Sequence, residues 1–415
     1  MLINLKLLSR IDTIKLLKLL PLLVYFISFP PFITKYCFPG IPFVLIGFAM
    51  FVVMMVMLLT NLKRDSKVNK IVLFSFALLI LFYFFQLFFH SDSAYLIRLR
   101  MAFMMVFLYV YIVIVVGIDS FVKVYVYSLV AILIMATIAY PLITLNILKP
   151  FFEYVNFDER PGYFFGLTCT NTYVQLPAFS FVRVSGLFDE PGALAYWGVY
   201  ALILNKSCLK NSFIEKVIIV SLALTFSMAF YVTLIFYYIL FYARVNVRNI
   251  FIVILLSFIL IVIYCLKETD YAFLYDATLG RLEVADDGSL KGDSRSKLFI
   301  VAYQYFLTSP ILGIGQSTFD NISNNGNFMH ANLFAILAAN GIVGFIILPF
   351  LFFKLVIDGI IKIFTSDLIK YVILIFLGLL QRPEVEYVFS VVMLAVLYEV
   401  LKRGVIKLKD VRIYE

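Results

Sequence analysis

The stretch DSRSKLFIVAYQYFLTSPILGIGQSTFDNISNNGNFMH, residues 293–330, is a polar island between apolar segments of the chain. It contains Arg295, a glycine-rich turn and His330, one of only 2 histidines in the sequence. The apolar segments on either side are long enough to cross a membrane as helices. We expect this island to form one half of an active site that faces away from the cytoplasm.

The composition predicts an all-α polytopic membrane protein. Of the 415 residues, 63% are hydrophobic and only 14% are charged, and the mean hydropathy is +1.02. A soluble core cannot bury that much apolar surface. The net charge of +9 does not indicate nucleic-acid binding, because the Lys and Arg residues lie mainly in short loops, where they report topology.

The 4 cysteines have no paired spacing, so we expect neither a disulfide framework nor a zinc site. No phosphate-binding loop or dinucleotide fingerprint is present in the sequence, which argues against a sugar nucleotide as substrate. The basic N-terminal stretch leads directly into an apolar run without a small-residue cleavage signature, and we expect a retained first helix.

Runs of apolar residues that match the thickness of a bilayer predict roughly twelve membrane spans. Their approximate cores are 16–34, 41–61, 71–90, 100–117, 121–144, 192–205, 214–227, 228–243, 250–266, 340–357, 369–381 and 387–402. The run 217–242 is too long for one upright span, and we expect two short helices joined by a tight turn near Ser227.

The distribution of cations predicts the orientation. With the N-terminus inside, every second loop is rich in Lys and Arg, as cytoplasmic loops are, and the C-terminus is also cytoplasmic. Residues 1–415 then form a single integral membrane domain with two large outer loops, 145–191 and 267–339. Long polar loops on one face of a helical bundle commonly carry the function.

The first outer loop ends in an arginine and two carboxylates, Arg183, Asp189 and Glu190, just before Pro191 and Gly192. Proline and glycine suit the first turn of the next helix, which places the carboxylates at its positive end. The alternative is that they only cap this helix. The aromatic residues of the region either stack on sugar faces or anchor the loop at the interface. They are Tyr154, Tyr163, Phe164, Phe165, Tyr173 and Trp197.

The second outer loop predicts an interfacial helix over 294–308. Asp293 and Ser294 offer an N-cap, apolar residues recur at helical spacing, and Ser309-Pro310 ends the run. Arg295 falls in the first turn, where a guanidinium and unpaired backbone N–H groups suit a diphosphate. The alternative is an arginine that snorkels to lipid phosphates.

His330 opens the next apolar helix, in which Asn340 and Gly341 predict a break or a cap. The histidine can accept a proton or donate to a diphosphate. A further outer turn carries Arg382 and Glu384, for which an internal salt bridge is the alternative role. With His90 as the other histidine, no His-rich metal site is available, and we expect no metal and no organic cofactor.

These stretches together resemble the O-antigen polymerase and O-antigen ligase superfamily. The first loop reads R-x-x-G-x-F-x-E-P from Arg183 to Pro191. The second contains Ser294-Arg295, then P-x-x-G-x-G at 310–315, and His330-x-Asn332 followed by Asn340-Gly341. Departures are Phe299 where tryptophan is frequent, and Ala331 where ligases place asparagine. The pair Glu190-Pro191, where ligases tend to have Pro-Asn, favours a polymerase.

The resemblance implies a GT-C-like, metal-independent glycosyltransferase of the bacterial inner membrane with a periplasmic active site. Donor and acceptor are then oligosaccharide repeat units on undecaprenyl diphosphate, with membrane lipid, a chain-length regulator and a flippase as further expected partners. Arg295 and Arg183 are the expected diphosphate ligands. His330 and Glu190 are the alternative catalytic bases, and Arg281, Arg382 and Asp189 are second-tier substrate contacts.

Two other readings stay open from sequence. An O-antigen ligase would transfer finished chains to a lipid A core. A flippase for lipid-linked oligosaccharide also has roughly twelve spans, but it would be expected to show internal repeats and charges within the spans. We find no repeat between the halves of the sequence, and the notable charges lie in the two outer loops.

Overall fold

The computed structural model describes most of the chain, and every structural statement below concerns the described residues. These are 13–27, 43–61, 68–155, 161–175, 179–242, 261–262, 264–269, 272, 275, 279–283, 294–322, 333–361, 368–382 and 385–412. The predicted span 250–266 lies largely outside them.

Helices dominate the described residues. The α-helices are α1 (Thr13–Ile27), α2 (Phe43–Asn61), α3 (Lys70–His90), α4 (Ala94–Tyr111), α5 (Ile118–Thr144), α6 (Pro191–Leu204), α7 (Ser212–Ala223), α8 (Met228–Tyr242), α9 (Ser294–Thr308), α10 (Gln316–Ile322), α11 (Leu333–Ile347), α12 (Phe350–Ile361), α13 (Leu368–Gln381) and α14 (Val388–Arg412). Helix α4 continues as a π-helical turn, Ile112–Val116, to form one apolar segment of 23 residues.

The predicted helical character is confirmed, and the described residues include candidate membrane spans. Within the described residues, 3 helical segments are long and apolar enough to cross a membrane: Lys70–His90, Ala94–Val116 and Ile118–Thr144. The pair Phe334–Ile347 and Phe350–Ile360, bent by 47°, makes a fourth if it is one span. Shorter apolar helices lie in the other predicted ranges, and the count of twelve stays a prediction.

The predicted split of 217–242 is confirmed. Helix α7 ends at Ala223 and α8 begins at Met228. The turn between them contains Phe226, whose φ is 47°. By internal contacts the chain forms two compact units, each described here by itself: 1–80, 99–225 and 386–415 in the first, and 81–98 and 226–385 in the second.

Helix α6 lies at the centre of the first unit. Of its residues, all but Gly192 are buried, which is typical of a helix covered on every side. The Tyr125 hydroxyl of α5 donates to the Trp197 carbonyl at 2.8 Å. A methyl group on Gly198 would come within 2.5 Å of Leu222, so α6 and α7 pack closely.

The loop 145–191, predicted to lie outside, contains two small antiparallel sheets, which the expectation of an all-α chain did not include. One sheet joins β1 (Phe152–Val155), β2 (Pro161–Phe164) and β3 (Cys169–Thr170); the other joins β4 (Tyr173–Gln175) and β5 (Ser180–Val182). Phe165 and Val182 pack with Ala139 and Ile143 of α5. This loop is therefore seated on the end of a long apolar helix.

Burial decides between the roles predicted for several loop aromatics. Phe165 and Trp197 are 0% exposed, and Tyr154 is 9% exposed. Phe165 packs in the loop core, and the Trp197 ring lies 4.6 Å from that of Phe389. These three side chains contribute to packing and are not available as a sugar-stacking surface or as interfacial anchors.

In the second unit, helix α11 is broken at Gly341, as the sequence predicts. Gly341 has φ 66° and ψ −172°, which interrupts the helical hydrogen bonds. The segment that follows α9 pairs with the break: Ile314 N donates to Ala338 O at 2.9 Å, and Ile342 N donates to Pro310 O at 2.9 Å. Backbone groups freed by the break are thus satisfied within the protein.

Candidate functional site

Arg183 directly follows strand β5 and is tied to the end of α7. Its Nε–H donates to the Thr225 carbonyl at 3.1 Å, and the next amide, Val184 N, donates to Leu224 O at 3.4 Å. The side chain is half-buried. The guanidinium is therefore held at a defined place and does not extend freely as a snorkelling arginine would.

The turn after Arg183 needs a glycine. Gly186 has φ 62°, and a methyl group there would come within 2.6 Å of Ile132. Its carbonyl accepts from Cys169 N at 2.6 Å, and Ser185 N donates to Cys169 O at 2.8 Å. The R-x-x-G motif, residues 183–186, is therefore hydrogen-bonded to Cys169 of β3 and packs against Ile132 of α5.

Glu190 occupies the N-cap position of α6, with extended dihedrals of φ −147° and ψ 157°. Its backbone carbonyl accepts from Ala193 N at 3.1 Å, and Pro191 begins the helix. The side chain makes no cap hydrogen bond. The Glu190 carboxylate therefore does not cap this helix by a hydrogen bond, and a capping role for Asp189 stays a prediction.

Its position gives the Glu190 carboxylate a positive electrostatic environment. The N-terminal end of a helix carries partial positive charge from its unsatisfied N–H groups. Asp189 and Glu190 are both half-buried at this end. Two carboxylates therefore lie at the N-terminal end of a helix that is buried at every residue except Gly192, in the same ordered segment as Arg183.

The helix predicted over 294–308 in the second unit is confirmed in its bounds, and its place at a membrane interface stays a prediction. Helix α9 runs from Ser294 to Thr308, so Arg295 is in its first turn and the helix ends before Ser309-Pro310. Val301, Ala302 and Tyr305 pack in one cluster with residues of α10 and α11. Ile300, Tyr303 and Leu307 on the other side are exposed, as an interfacial helix requires.

Several predicted site residues lie wholly or partly outside the description. His330 and Glu384 fall outside the described residues, and of Arg281 and Arg295 only the backbone is described. Arg281 belongs to a 3₁₀ turn, Leu279–Leu282. Arg382 follows α13, is half-buried, and donates its backbone N–H to Gly378 O at 2.9 Å.

The structure thus groups the predicted residues by unit. Arg183, Asp189 and Glu190 lie together in one ordered segment of the first unit. Arg281, Arg295 and Arg382 belong to the second unit. Whether the two sets form one site stays a prediction from the sequence.

Sequence reasoning missed a polar cluster in the second unit, built on the turn between α3 and α4. Asp92 accepts from Ser317 N at 2.7 Å, from the Ser317 hydroxyl, and from Ala94 N at 2.8 Å. Gln86 Nε2 donates to Leu312 O at 3.0 Å. The available signal was a pair of polar residues, Gln86 and His90, four positions apart near the end of an apolar helix.

The Asp92 carboxyl shows that this cluster holds charge. Burial acts to raise its pKa, but the hydrogen bonds from Ser317 and Ala94, together with the nearby His90, hold the pKa below its ordinary value. The carboxylate form is therefore favoured in the folded protein.

In comparisons with known proteins, no family model, no curated protein and no solved structure matches this chain.

Proposed function

We propose that this protein is a polysaccharide polymerase of the O-antigen polymerase and ligase superfamily. It would join oligosaccharide repeat units carried on undecaprenyl diphosphate at the outer face of a bacterial inner membrane. The proposal includes a bundle of roughly twelve spans, cytoplasmic termini and a periplasmic site, as the hydropathy and charge patterns predict.

One observation carries the proposal. The segment 183–192 holds Arg183 by a hydrogen bond to Thr225 O and places Glu190 at the N-terminus of a buried helix without using its carboxylate as a cap. Charged side chains are costly in an apolar protein, so an arginine and an acid in one ordered segment mark a polar site. This segment carries one of the two motifs on which the resemblance rests.

The proposed chemistry needs two kinds of group. Arg295 and Arg183 would bind the diphosphate leaving group as its negative charge grows. His330 or Glu190 would take the proton from the acceptor hydroxyl as that oxygen attacks the anomeric carbon of the donor. Arg281, Arg382 and Asp189 would contact the glycan or the lipid phosphate. Bringing the two lipid-linked substrates together supplies much of the remaining rate enhancement.

A transporter for lipid-linked oligosaccharide is the second candidate, and the break in α11 favours it. Transporters commonly bind their substrates at discontinuous helices near the middle of the membrane. The break at Gly341, the pairing with residues 310–315 and the 47° bend after Ile347 are features of that kind.

The test is a transfer assay with purified full-length protein and undecaprenyl-diphosphate-linked repeat units from its own host, in detergent with a chelator. A ladder of products with added repeats is the expected result. Transfer onto added lipid A core without a ladder would indicate a ligase instead. The absence of any covalent product, with movement of the lipid across vesicles, would replace the enzyme with a flippase.

A pair of arginine variants makes the assay specific. Arg295→Ala should abolish the ladder while the protein still inserts and expresses. Arg403→Ala is the control, because Arg403 lies on the predicted cytoplasmic side, where it pairs with Asp119 at 3.8 Å and is half exposed. An active Arg295→Ala protein would remove the proposed diphosphate ligand.

A further inference from the structure

Residues 309–322 are clamped between two partners in the second unit. On one side, the backbone of 310–315 pairs with the break in α11, as described above. On the other side, Asp92 binds both the backbone N–H and the hydroxyl of Ser317, and Gln86 binds the Leu312 carbonyl. The hairpin of α3 and α4 therefore holds the middle of the second outer loop.

The conformation of the clamped segment depends on close approach. Gly313 and Gly315 have φ of 77° and 88°. A methyl group on Gly313 would lie 2.3 Å from Ala339 O, and one on Gly315 would lie 3.2 Å from His90 Nδ1. Residue 315 therefore lies directly on the His90 ring.

Several buried polar atoms near this segment have no hydrogen-bond partner among the described residues. Within the described residues, Tyr83 OH, Gln86 Oε1, His90 Nε2 and Gln316 Oε1 are buried and accept or donate no hydrogen bond. Tyr83, Gln86 and His90 share one face of α3, since they are three and four positions apart. The ring centroids of Tyr83 and His90 lie 6.3 and 6.1 Å from that of Tyr95.

These unpaired atoms destabilise the closed arrangement. A buried polar group without a partner is destabilising, because it has lost its hydrogen bonds to water. Three of them, on Gln86, His90 and Gln316, lie at this contact and lower the cost of opening it, since opening restores their hydrogen bonds. The hydrogen bonds between Asp92 and Ser317 oppose opening. The closed contact is therefore stabilised by one set of groups and destabilised by another.

We propose that the α3–α4 hairpin is a releasable clamp on residues 309–322, with Asp92 as its closing residue, and that its release uncovers a glycan-binding face formed by Gln86, His90 and Gln316. The α3–α4 turn is on the outer side in the predicted topology, the side of the second outer loop. In the closed state the clamp fixes the segment between Arg295 and His330.

The chemistry of the face selects a hydroxyl-rich ligand. Two amide oxygens and an imidazole accept from sugar hydroxyls, and the Tyr83 hydroxyl can donate or accept. Asp320 accepts from Gln316 Nε2 at 2.6 Å and Asp92 accepts from Ser317 N at 2.7 Å, so two carboxylates border the face. Carboxylates repel a diphosphate, so the face would take the sugars of a lipid-linked repeat unit. This assignment of the ligand rests on the proposed function; the clamp does not.

The clamp is tested by cysteine labelling, which requires no turnover. In the full chain with its native cysteines replaced by serine, Gln316→Cys reports the opening of 309–322, because Gln316 is 2% exposed. Adding Asp92→Ala should raise its rate of reaction with N-ethylmaleimide about tenfold. Ser221→Cys, equally buried and bonded to Thr137 between α5 and α7, is the control whose rate should not change.

Equal and slow labelling of Gln316→Cys with and without Asp92→Ala would overturn the clamp. If Asp92→Ala does not fold, Ser317→Ala replaces it: it removes only the hydroxyl contact and should raise the rate by a smaller factor. No rise in a folded Ser317→Ala protein would equally overturn the clamp.

The ligand is tested by protection in the released protein. Undecaprenyl-diphosphate-linked repeat units should slow the labelling of Gln316→Cys in the Asp92→Ala background, and undecaprenyl diphosphate without sugars should not. Equal protection by both lipids would assign the face to the lipid or diphosphate and overturn the glycan assignment. Absence of protection by either would also overturn it. A failed transfer assay with intact protection would instead count against the proposed reaction.

Discussion

Asp92 joins two segments of the second unit that are distant in the sequence. It binds the first turn of α4 through Ala94 N and the start of α10 through Ser317, and its pKa is held below its ordinary value. A carboxyl whose pKa is lower in the folded state adds stability above its unfolded pKa and loses that contribution as the pH falls through the folded value.

Asp92→Asn should therefore destabilise the protein at neutral pH and flatten its acid response. In the unmodified protein we expect the Asp92 contribution to be present at pH 7 and to fade below about pH 4. Thermal unfolding of purified protein at pH 7 and near pH 3.5 measures this. Asp119→Asn is the control, since Asp119 is 81% exposed in a long ion pair that adds little. Equal pH dependence in both variants would contradict the expectation.

Two N-cap positions give a matched test of the role of Glu190. Asn211 caps α7 with its side chain, which accepts from Phe213 N and Ile214 N, whereas the Glu190 carboxylate makes no such bond to α6. Asn211→Ala should cost about 1 kcal/mol of stability and leave transfer intact. Glu190→Gln should change the melting temperature less and remove transfer if Glu190 is the base. Retained transfer would leave His330 as the base.

At the scale of the elements, the break in α11 depends on glycines in two segments distant in sequence. A methyl group on Gly341 would lie only 2.2 Å from Ile311 O, and one on Gly313 would lie only 2.3 Å from Ala339 O. Each glycine faces the backbone of the other segment. The pairing is therefore mutual, and a side chain on either segment would separate them.

Gly313→Ala should be far more damaging than Gly117→Ala. Both glycines have φ near +80°, but a methyl group on Gly117 has nothing within 4 Å. Gly117→Ala should cost only the strain of a positive φ, about 1–3 kcal/mol, and Gly313→Ala several times that because of the collision with Ala339. Thermal unfolding of the two variants measures the difference, and equal melting temperatures would show that the two segments can separate without loss.

Local signals explain which elements the sequence predicted well. Helix α9 ends before Pro310 and α6 starts at Pro191, because a proline acts on its own neighbours in the chain. The break at Gly341 and the turn near Ser227 were predicted for the same reason. Strands β1 to β5 were missed because each is only 2 to 4 residues long and gives no extended alternation of apolar and polar residues.

Contacts between distant residues could not be predicted in this way. Asp92 and Ser317 are 225 positions apart, and nothing at either residue specifies the other. The tie between Arg183 and Thr225 joins a loop to the end of a helix 42 positions later. In the candidate site, residue types were predictable from the chemistry they could perform, but their supporting partners were not.

At the scale of the whole molecule, the topology decides whether the proposed site is accessible from outside. The charge pattern places the loop 267–339 outside, whereas Cys208 lies in a loop predicted to be cytoplasmic and is exposed. With the other native cysteines replaced by serine, Ser323→Cys should react with an impermeant maleimide in intact cells, and Cys208 should react only after the membrane is opened. Ser323 itself lies outside the described residues. The reverse pattern would invert the orientation and move the proposed site to the cytoplasm.

The paired break in α11 also orders the events of membrane insertion. During synthesis, residues 310–315 leave the ribosome before 338–343, so the segment that completes the broken helix already exists when the helix arrives. An interrupted helix entering hydrocarbon alone would expose unsatisfied N–H and C=O groups, each at a cost of several kcal/mol. Helix α11 and the preceding segment are therefore expected to enter the bilayer as one unit.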